Sequence, residues 1–408
     1  MIISLLRNKS LLISILTILI TVSLQLIFIR YASYSIEKID YGNFILIQTL
    51  LSGLMLLFLQ MPIQSFDRFY NQSTNKESII NEFKTIVLFL SGMSIFTIML
   101  YGIILEKFSN ELLLIVYFLF MLISYFAITQ RIFLLKIERK KYLYFRIFEA
   151  LSKFLLPIIF YIYFTSLKSL LLGMTIGYTI SLIILSLYTQ EYSIKYQINW
   201  DNLKKYLIYS YPIFFFSIFN WGITFSDRYF IEYFLSTEDL AIYGLLGMSA
   251  AIGQIFGQIY SIYAEPIILK LYETNKEEAY IQLNKYLLIL LNIFIVLIII
   301  FLILPKSIYT VLLEPKLVYD SYYFQTMLLL IITIFIGVLH TAHHMYFKLL
   351  KKLNILAYIY LIALFINLFG NLYILDYGII AASISTLISY LVILTCQSIY
   401  ISSILRKK

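Results

Sequence analysis

The sequence predicts an all-α, polytopic membrane protein of about twelve transmembrane helices in two six-helix lobes, residues 1–200 and 201–408. Three observations predict it. Only 13% of the 408 residues are charged and 61% are hydrophobic, with a mean hydropathy of +0.88, whereas a soluble domain carries charge on about a quarter of its residues. The apolar residues fall in blocks of roughly 20, the helical length that crosses about 30 Å of hydrocarbon. A set of short stretches also recurs at a nearly constant spacing.

In the first half the apolar blocks span 11–30, 43–63, 85–105, 111–130, 147–164 and 167–188. In the second they span 207–233, 241–263, 286–304, 323–346, 354–375 and 377–400. The break between the fifth and sixth is the shortest, only Thr165 to Lys168. Arg7 and Lys9 before the first block give it the look of a secretory signal. The block is too long for a signal core and no small-x-small cleavage site follows, so it reads as a retained helix. Cys396 is the single cysteine, which excludes an intrachain disulfide.

The net charge of +9 is explained by topology and not by nucleic acid. With these spans, 24 of the 31 lysines and arginines lie at the termini and in the even-numbered loops, Lys153 counted with the loop before it. Basic residues are retained on the cytoplasmic side during insertion, so both termini are expected there. The run KIERKK, Lys136 to Lys141, is most simply a topogenic signal beside anionic lipid heads.

TNKE occurs at Thr74–Glu77 and again at Thr274–Glu277, 200 residues later. Upstream, Ser35-Ile-Glu37-Lys-Ile39-Asp-Tyr41-Gly42 matches Ser236-Thr-Glu238-Asp-Leu240-Ala-Ile-Tyr243-Gly244, with offsets of 201 for the serines and 202 for the Tyr-Gly pairs. A proline, Pro62 or Pro266, is expected to end the following span each time. The serines suit helix capping and the glutamates the positive end of a helix dipole. Six spans per copy insert both copies the same way up, the arrangement of parallel-repeat transporters.

At 100° per residue, Ser210, Ser217, Asn220, Thr224, Asp227, Arg228 and Glu232 of span seven fall within an arc of roughly 140°. Ser10, Ser14, Thr17, Thr21 and Gln25 of span one share roughly 80°. In span eight, Gly247, Gln254, Gln258, Ser261 and Glu265 share a face; Gln48 and Ser52 make a weaker one in span two. Lipid cannot satisfy such groups, so these faces are expected to turn toward a watery cavity or one another. Serine and threonine are also ordinary helix-packing residues in membranes. Asp227 and Arg228 are harder to assign to packing, because charge inside a span is costly and marks a pathway. Whether they bind substrate or neutralise each other is open at this point.

Other candidates are weaker. His340, His343 and His344 have helical i, i+3, i+4 spacing, but no carboxylate or cysteine nearby completes a zinc site, and they read as interfacial histidines. Lys153 could reach a cavity or pair with Glu149. Arg68, in SFDRFY after Pro62, is equally ambiguous, and Arg30 reads as an interface anchor. No Gly-rich phosphate loop, hydrolytic triad or paired-carboxylate motif appears, and no cofactor is called for.

Four stretches carry a resemblance: EKIDYGNFILIQ (37–48), SYPIFFFSIFNWGITFSDRYFIEYFLSTEDLAIYGL (210–245), SIYAEPIILKLYE (261–273) and YGIIAASISTLIS (377–389). They resemble the lipid-linked oligosaccharide flippases of the multidrug/oligosaccharidyl-lipid/polysaccharide exporter superfamily, which include the O-antigen flippases of lipopolysaccharide assembly. The resemblance implies a V-shaped pair of lobes with a central cavity lined by helices one, two, seven and eight. It also implies alternating access in the bacterial inner membrane, moving a polyprenyl-pyrophosphate-linked glycan outward beside membrane lipids and other polysaccharide assembly proteins. The substrate-binding set it suggests is Arg228, Asp227, Asn220, Thr224, Gln25, Thr21, Gln254, Gln258, Arg68 and Lys153. Arg228 is the one basic residue well inside those four spans, fewer than a pyrophosphate cavity leads one to expect.

Two rivals remain. A cation-coupled drug exporter of the same superfamily shares the fold. A membrane glycan polymerase or glycosyltransferase needs catalytic groups on a large outward loop, and the longest such loop, 305–322, holds only Lys306, Glu314, Lys316 and Asp320.

Overall fold

A computed structural model describes residues 9–70, 72–136, 138–189, 196, 198–250, 253–350 and 352–405. Among them twelve membrane-length helical elements follow one another. The first six are α1 (Lys9–Ser35), α2 (Lys38–Tyr70), α3 (Lys76–Leu105), α4 (Asn110–Leu135), α5 (Arg139–Phe164) and α6 (Leu167–Thr189). The second six are α7 (Trp200–Phe234), α8 (Thr237–Ala250 and Gln254–Thr274), α9 (Lys276–Ile303), α10 (Ser321–Leu350), α11 (Leu353–Asn371) and α12 (Ile379–Leu405). Ten are unbroken candidate spans by length and composition, and α7 and α8 are bent by 48° and 47°. The α7 bend falls between Tyr211 and Ile213, at Pro212, whose missing N–H removes a rung of the helical ladder.

The recurring TNKE has a physical cause. Asn75 caps α3 by accepting from Ser78 N at 3.0 Å, and Asn275 caps α9 by accepting from Glu278 N at 3.2 Å. Each cap satisfies one of the N–H groups that a helix start leaves orphaned. Ser236 does the same for α8, accepting from Asp239 N at 3.0 Å. The prolines do not end spans as the sequence suggests: helix continues past Pro62 to Tyr70 and past Pro266 to Thr274. A proline ring is tolerated in a membrane helix where neighbouring groups re-satisfy the freed carbonyl.

The short break between α5 and α6 is closed by Thr165, which adopts a left-handed conformation (φ 31°) while its N–H donates to Tyr161 O at 2.9 Å. Immediately beyond, α6 packs almost backbone to backbone on α5. A side chain at Gly173 would meet Leu156 O at 2.7 Å, and Gly177, four residues on, faces Ser152 Cα at 2.8 Å. Small residues at this spacing let membrane helices approach closely, and Ser152 and Ser181 then share a hydroxyl–hydroxyl bond of 2.8 Å. At the other extreme, the most apolar window of α9 has a mean hydropathy of 3.3 and only 17% of it is buried. Its exposed face is built for lipid, where burial is not required to keep leucine and isoleucine out of water.

The chain divides into two compact units: residues 1–31 with 43–214, and residues 32–42 with 215–408. The division falls inside α7 and not near residue 200, because the start of α7 is tied to α3. Glu82, 4% exposed, accepts from Tyr206 Oη at 3.0 Å and from the Asn199 N–H at 3.2 Å. Ser65 Oγ donates to the Tyr206 carbonyl at 2.9 Å. The short segment Ala32–Gly42 packs with the second unit. Tyr34 Oη donates to the carbonyls of Thr310 (2.6 Å) and Leu313 (3.0 Å), Lys38 Nζ to Glu314 Oε1 (2.7 Å), and Glu314 N to Ser33 Oγ (2.8 Å). Tyr41 is fully buried, its hydroxyl 2.8 Å from Met248 Sδ.

Candidate functional site

The polar arc of α7 is the most heavily functionalised face of the second unit, and the structure splits it in two. Thr224 and Asp227 of the arc, with Ser226 from outside it, direct their polar atoms into the unit's own core. Ser226 Oγ donates to Asn367 Oδ1 at 2.9 Å and accepts from Asn371 Nδ2 at 3.2 Å, both on α11. Asn367 Nδ2 in turn donates to Thr386 Oγ1 of α12 at 3.2 Å, and Ser385 Oγ donates to the Asn367 carbonyl at 2.8 Å. Thr224 Oγ1 donates to the Asn220 carbonyl at 2.8 Å and lies 3.1 Å from Tyr390 Oη of α12. Buried polar groups joined into a network fix one helix arrangement, since each broken link leaves an unsatisfied group in low dielectric.

Asp227 is 3% exposed and accepts from the hydroxyl of Tyr243 on α8, the tyrosine of the repeated Tyr-Gly pair. Its second carboxylate oxygen is buried without a hydrogen-bond partner, as is Asn371 Oδ1. Adjacent residues on a helix point about 100° apart, and Arg228 accordingly takes another direction. It is half-buried, with its guanidinium 4.6 Å above the Phe225 ring. Asp227 is held by the Tyr243 hydroxyl, and the neighbouring Arg228 charge acts on it electrostatically.

Of the other sequence-nominated residues, Asn220 is half-buried on α7, while Gln254 and Gln258 are exposed one turn apart on α8. That exposed stripe continues through Ser261, whose hydroxyl donates to Glu265 Oε1 at 3.3 Å; Glu265 also pairs with Lys348 at 3.1 Å. Thr21, Gln25, Arg68 and Lys153 belong to the first unit. Thr21 donates to the Thr17 carbonyl at 2.9 Å, the ordinary back-bond of a helical threonine. Gln25 is half-buried, and Ser10 and Ser14 lie outside the residues whose side chains are described. In α2, Gln48 donates to Met174 Sδ at 3.3 Å, so this weaker face turns toward α6. Arg68 is exposed; its neighbour Asp67 takes a two-pronged ion pair from Arg131.

Lys153 does not pair with Glu149, which accepts from Arg146 at 3.0 Å and from Gln130 at 3.1 Å. It sits exposed within a π-helical turn, Leu151–Leu155, with Nζ 5.7 Å from the Phe154 ring. α2 carries a second π-helical turn, Met55–Leu59. Such turns insert a residue into the ladder and cluster at functional sites.

Sequence reasoning missed Asn367, Asn371, Ser385 and Thr386. The signal was present: Asn367 and Asn371 are two amides one turn apart in an otherwise apolar span, and lipid could satisfy neither. The histidines are also placed differently from the sequence reading. His340 is 2% exposed and hydrogen-bonded within the core, not interfacial. Among the described residues no group of three or more His, Cys, Asp or Glu side chains could hold a metal ion.

The twelve membrane-length helical elements follow the MOP (multidrug/oligosaccharidyl-lipid/polysaccharide exporter) fold of a multi-pass membrane protein. Solved structures share it. The lipid II flippase MurJ in an inward closed conformation matches with a TM-score of 0.67 and 15% identity, over 96% of this chain and 87% of that one. An inward-facing multidrug resistance MATE family transporter of the MOP superfamily matches with a TM-score of 0.63 and 11% identity, over 96% and 95%. The eukaryotic MATE transporter AtDTX14 matches at 0.60 and 15%, over 95% and 92%. At these identities the likeness is one of fold. No family model and no curated protein matches the chain.

Proposed function

We propose that this chain is a flippase that moves a polyprenyl-pyrophosphate-linked oligosaccharide, an O-antigen or other surface polysaccharide unit, across the bacterial inner membrane by alternating access. Its termini lie in the cytoplasm, and its partners are the lipid-linked glycan, membrane lipids and other polysaccharide assembly proteins. The observation that carries the reading is Arg228 itself, a half-buried guanidinium inside α7 that lies over the Phe225 ring. A guanidinium inside a span is suited to hold an anion. It grips phosphate through paired, charge-assisted bonds, which a lysine supplies only as a point charge. The exposed amides Gln254 and Gln258 suit the hydroxyls of a sugar. MurJ, with the same fold, is described as a flippase of lipid II, a lipid-linked substrate.

The test is complementation of a flippase-deficient strain at matched protein level. Arg228→Ala is expected to abolish it and Arg228→Lys to retain part. Full activity of Arg228→Ala would overturn the reading.

A second reading, a cation-coupled drug exporter, is favoured by a different observation. Asp227 and Asn371 each keep a buried acceptor oxygen without a partner, and a monovalent cation is the kind of ligand that satisfies bare oxygens. Export of cationic dyes by the purified chain in vesicles, insensitive to Arg228→Ala, would decide for it.

A further inference from the structure

Three residues of the second unit form a cluster that the flippase reading leaves unused. His340 and His344 lie one turn apart on α10 and both reach one hydroxyl on α11. Tyr360 Oη is 2.9 Å from His340 Nδ1 and 2.7 Å from His344 Nε2. A phenol carries a single proton, so it donates to one imidazole and accepts from the other. His340 is 2% exposed and its Nε2 is buried with no hydrogen-bond partner, while His344 is half-buried. Histidines kept for packing have their buried nitrogens satisfied; this one does not.

We propose that His340, Tyr360 and His344 form a binding site for one proton, taken up at His344 and stored on His340. The step balances without any other reactant. In the starting arrangement His344 Nε2–H donates to Tyr360 Oη, and the Tyr360 hydroxyl donates to His340 Nδ1. A proton from water adds to His344 Nδ1. The Nε2 proton of His344 then passes to the phenol oxygen as the phenol proton passes to His340 Nδ1. His340 ends as the imidazolium, the phenol keeps one proton, and His344 is neutral in its other tautomer.

Aromatic rings flank the His340 imidazole. The Tyr390 ring of α12 lies 4.6 Å from the His340 ring, and the Tyr360 ring 5.8 Å from it. Aromatic rings at such distances attract a cation, most strongly where water is excluded. The titratable and charged groups that face the cluster can be named helix by helix. On α10 they are His343, with Nδ1 2.9 Å from the Leu339 carbonyl, and Lys348, neutralised by Glu265 of α8. α8 also contributes Tyr260, bonded to the Ala342 carbonyl, and α9 contributes Tyr280, stacked on Tyr346 of α10. α11 provides Tyr360 and α12 Tyr390. From α7, Asp227 acts electrostatically on Tyr390. No carboxylate touches either imidazole among the described residues.

The cluster bears on α7 at two heights. Phe216 packs edge-on against His344 (5.2 Å) and Tyr360 (4.6 Å), and Thr224 is bonded to the Tyr390 that covers His340. Proton loading is therefore felt along the helix that carries Arg228, which makes the proton the coupling ion of transport; this last step rests on the flippase reading.

The experiment uses the full chain in lipid nanodiscs, labelled with ¹⁵N-histidine. The chain has three histidines, so single substitutions assign each ring. Between pH 8 and 5, in the absence of substrate, His340 and His344 are expected to respond together to the uptake of one shared proton. Tyr360→Phe is expected to uncouple them into two separate titrations, about a pH unit or more apart. Rings that both stay neutral to pH 5, or titrations unchanged by Tyr360→Phe, overturn the site. His340→Gln, which keeps a polar side chain of similar size, is expected to remove the shared step while the protein stays folded. In proteoliposomes a pH gradient is then expected to drive flipping of a lipid-linked glycan, at least tenfold less in His340→Gln. Gradient-independent flipping overturns the coupling role alone. A protein that binds the proton but flips no glycan overturns the flippase reading and leaves the proton site standing.

Discussion

Gly42 lies against the carbonyl of Thr237 so closely that a β-carbon in place of its hydrogen would sit 2.1 Å from that oxygen. Gly42 closes the first copy of the S-x-E…Tyr-Gly repeat, and Thr237 is the second residue of the other copy, which opens at Ser236. Within the second unit, then, one loop of the repeat is seated on the other. Gly42→Ala cannot be accommodated by a rotamer change, because the clashing atom is backbone. We expect a loss of about 1–3 kcal/mol, the usual cost of overpacking, read as a lowered Tm of the detergent-solubilised protein. An unchanged Tm would mean the two loops are not in this contact.

Lys38 and Glu314 make the ion pair that flanks that seat, and both are partly exposed. Exposed pairs stabilise by only about 0.2–1 kcal/mol, so single neutralisations should leave folding intact. Lys38→Cys with Glu314→Cys, in a Cys396→Ser background, is expected to be bridged by a bifunctional thiol reagent of about 5–10 Å, long enough to replace the two side chains where a direct disulfide is too short. The bridge is expected to stop transport. Full transport by the bridged protein would show that the segment Ala32–Gly42 stays seated throughout the cycle.

Asp227 accepts from the Tyr243 hydroxyl. On the anion-binding reading of Arg228, removing both charges together, as Asp227→Asn with Arg228→Gln, is expected to leave the protein as inactive as Arg228→Gln alone. Restored complementation by the double variant would show that the two charges serve each other after all. Tyr243→Phe, which takes away only the hydroxyl, is expected to lower stability by roughly 1–3 kcal/mol, because it leaves a buried carboxylate without its donor.

Asn75 and Asn275 cap the helices that follow the two TNKE loops, and Ala at either position should cost about 0.5–2 kcal/mol. Thr74→Cys and Thr274→Cys, which spare the caps, test topology. Both are expected to resist impermeant thiol reagents in intact cells and to react in inverted vesicles. Labelling of one and not the other in intact cells would break the parallel repeat.

Much of this was legible in the residues. Twelve spans, the six-plus-six repeat and the polar stripes of α1, α7 and α8 are local or periodic properties. Hydropathy over a window and a helical wheel suffice to read them. The direction of each stripe is another matter. Thr224 and Asp227 share one arc of a helical wheel and Ser226 lies on the opposite side, yet all three bond to α8, α11 or α12. Which neighbour satisfies a polar group depends on residues more than a hundred positions away, such as Asn367 or Tyr390.

The sequence by itself determined the fold class, about twelve membrane-length helices, the recurrence of its short stretches and the Ser236 cap. Each follows from the cost of leaving backbone or side-chain polar groups unsatisfied in hydrocarbon, a cost that local sequence either meets or does not. Only the tertiary structure decided that α2 and α8 run through their prolines and that α7 divides between two units at Phe214. It alone seated Ala32–Gly42 on the second unit and gathered His340, Tyr360 and His344 around one hydroxyl. Those outcomes depend on which helix faces are brought into contact, and packing between distant segments is not encoded in any one window of the chain.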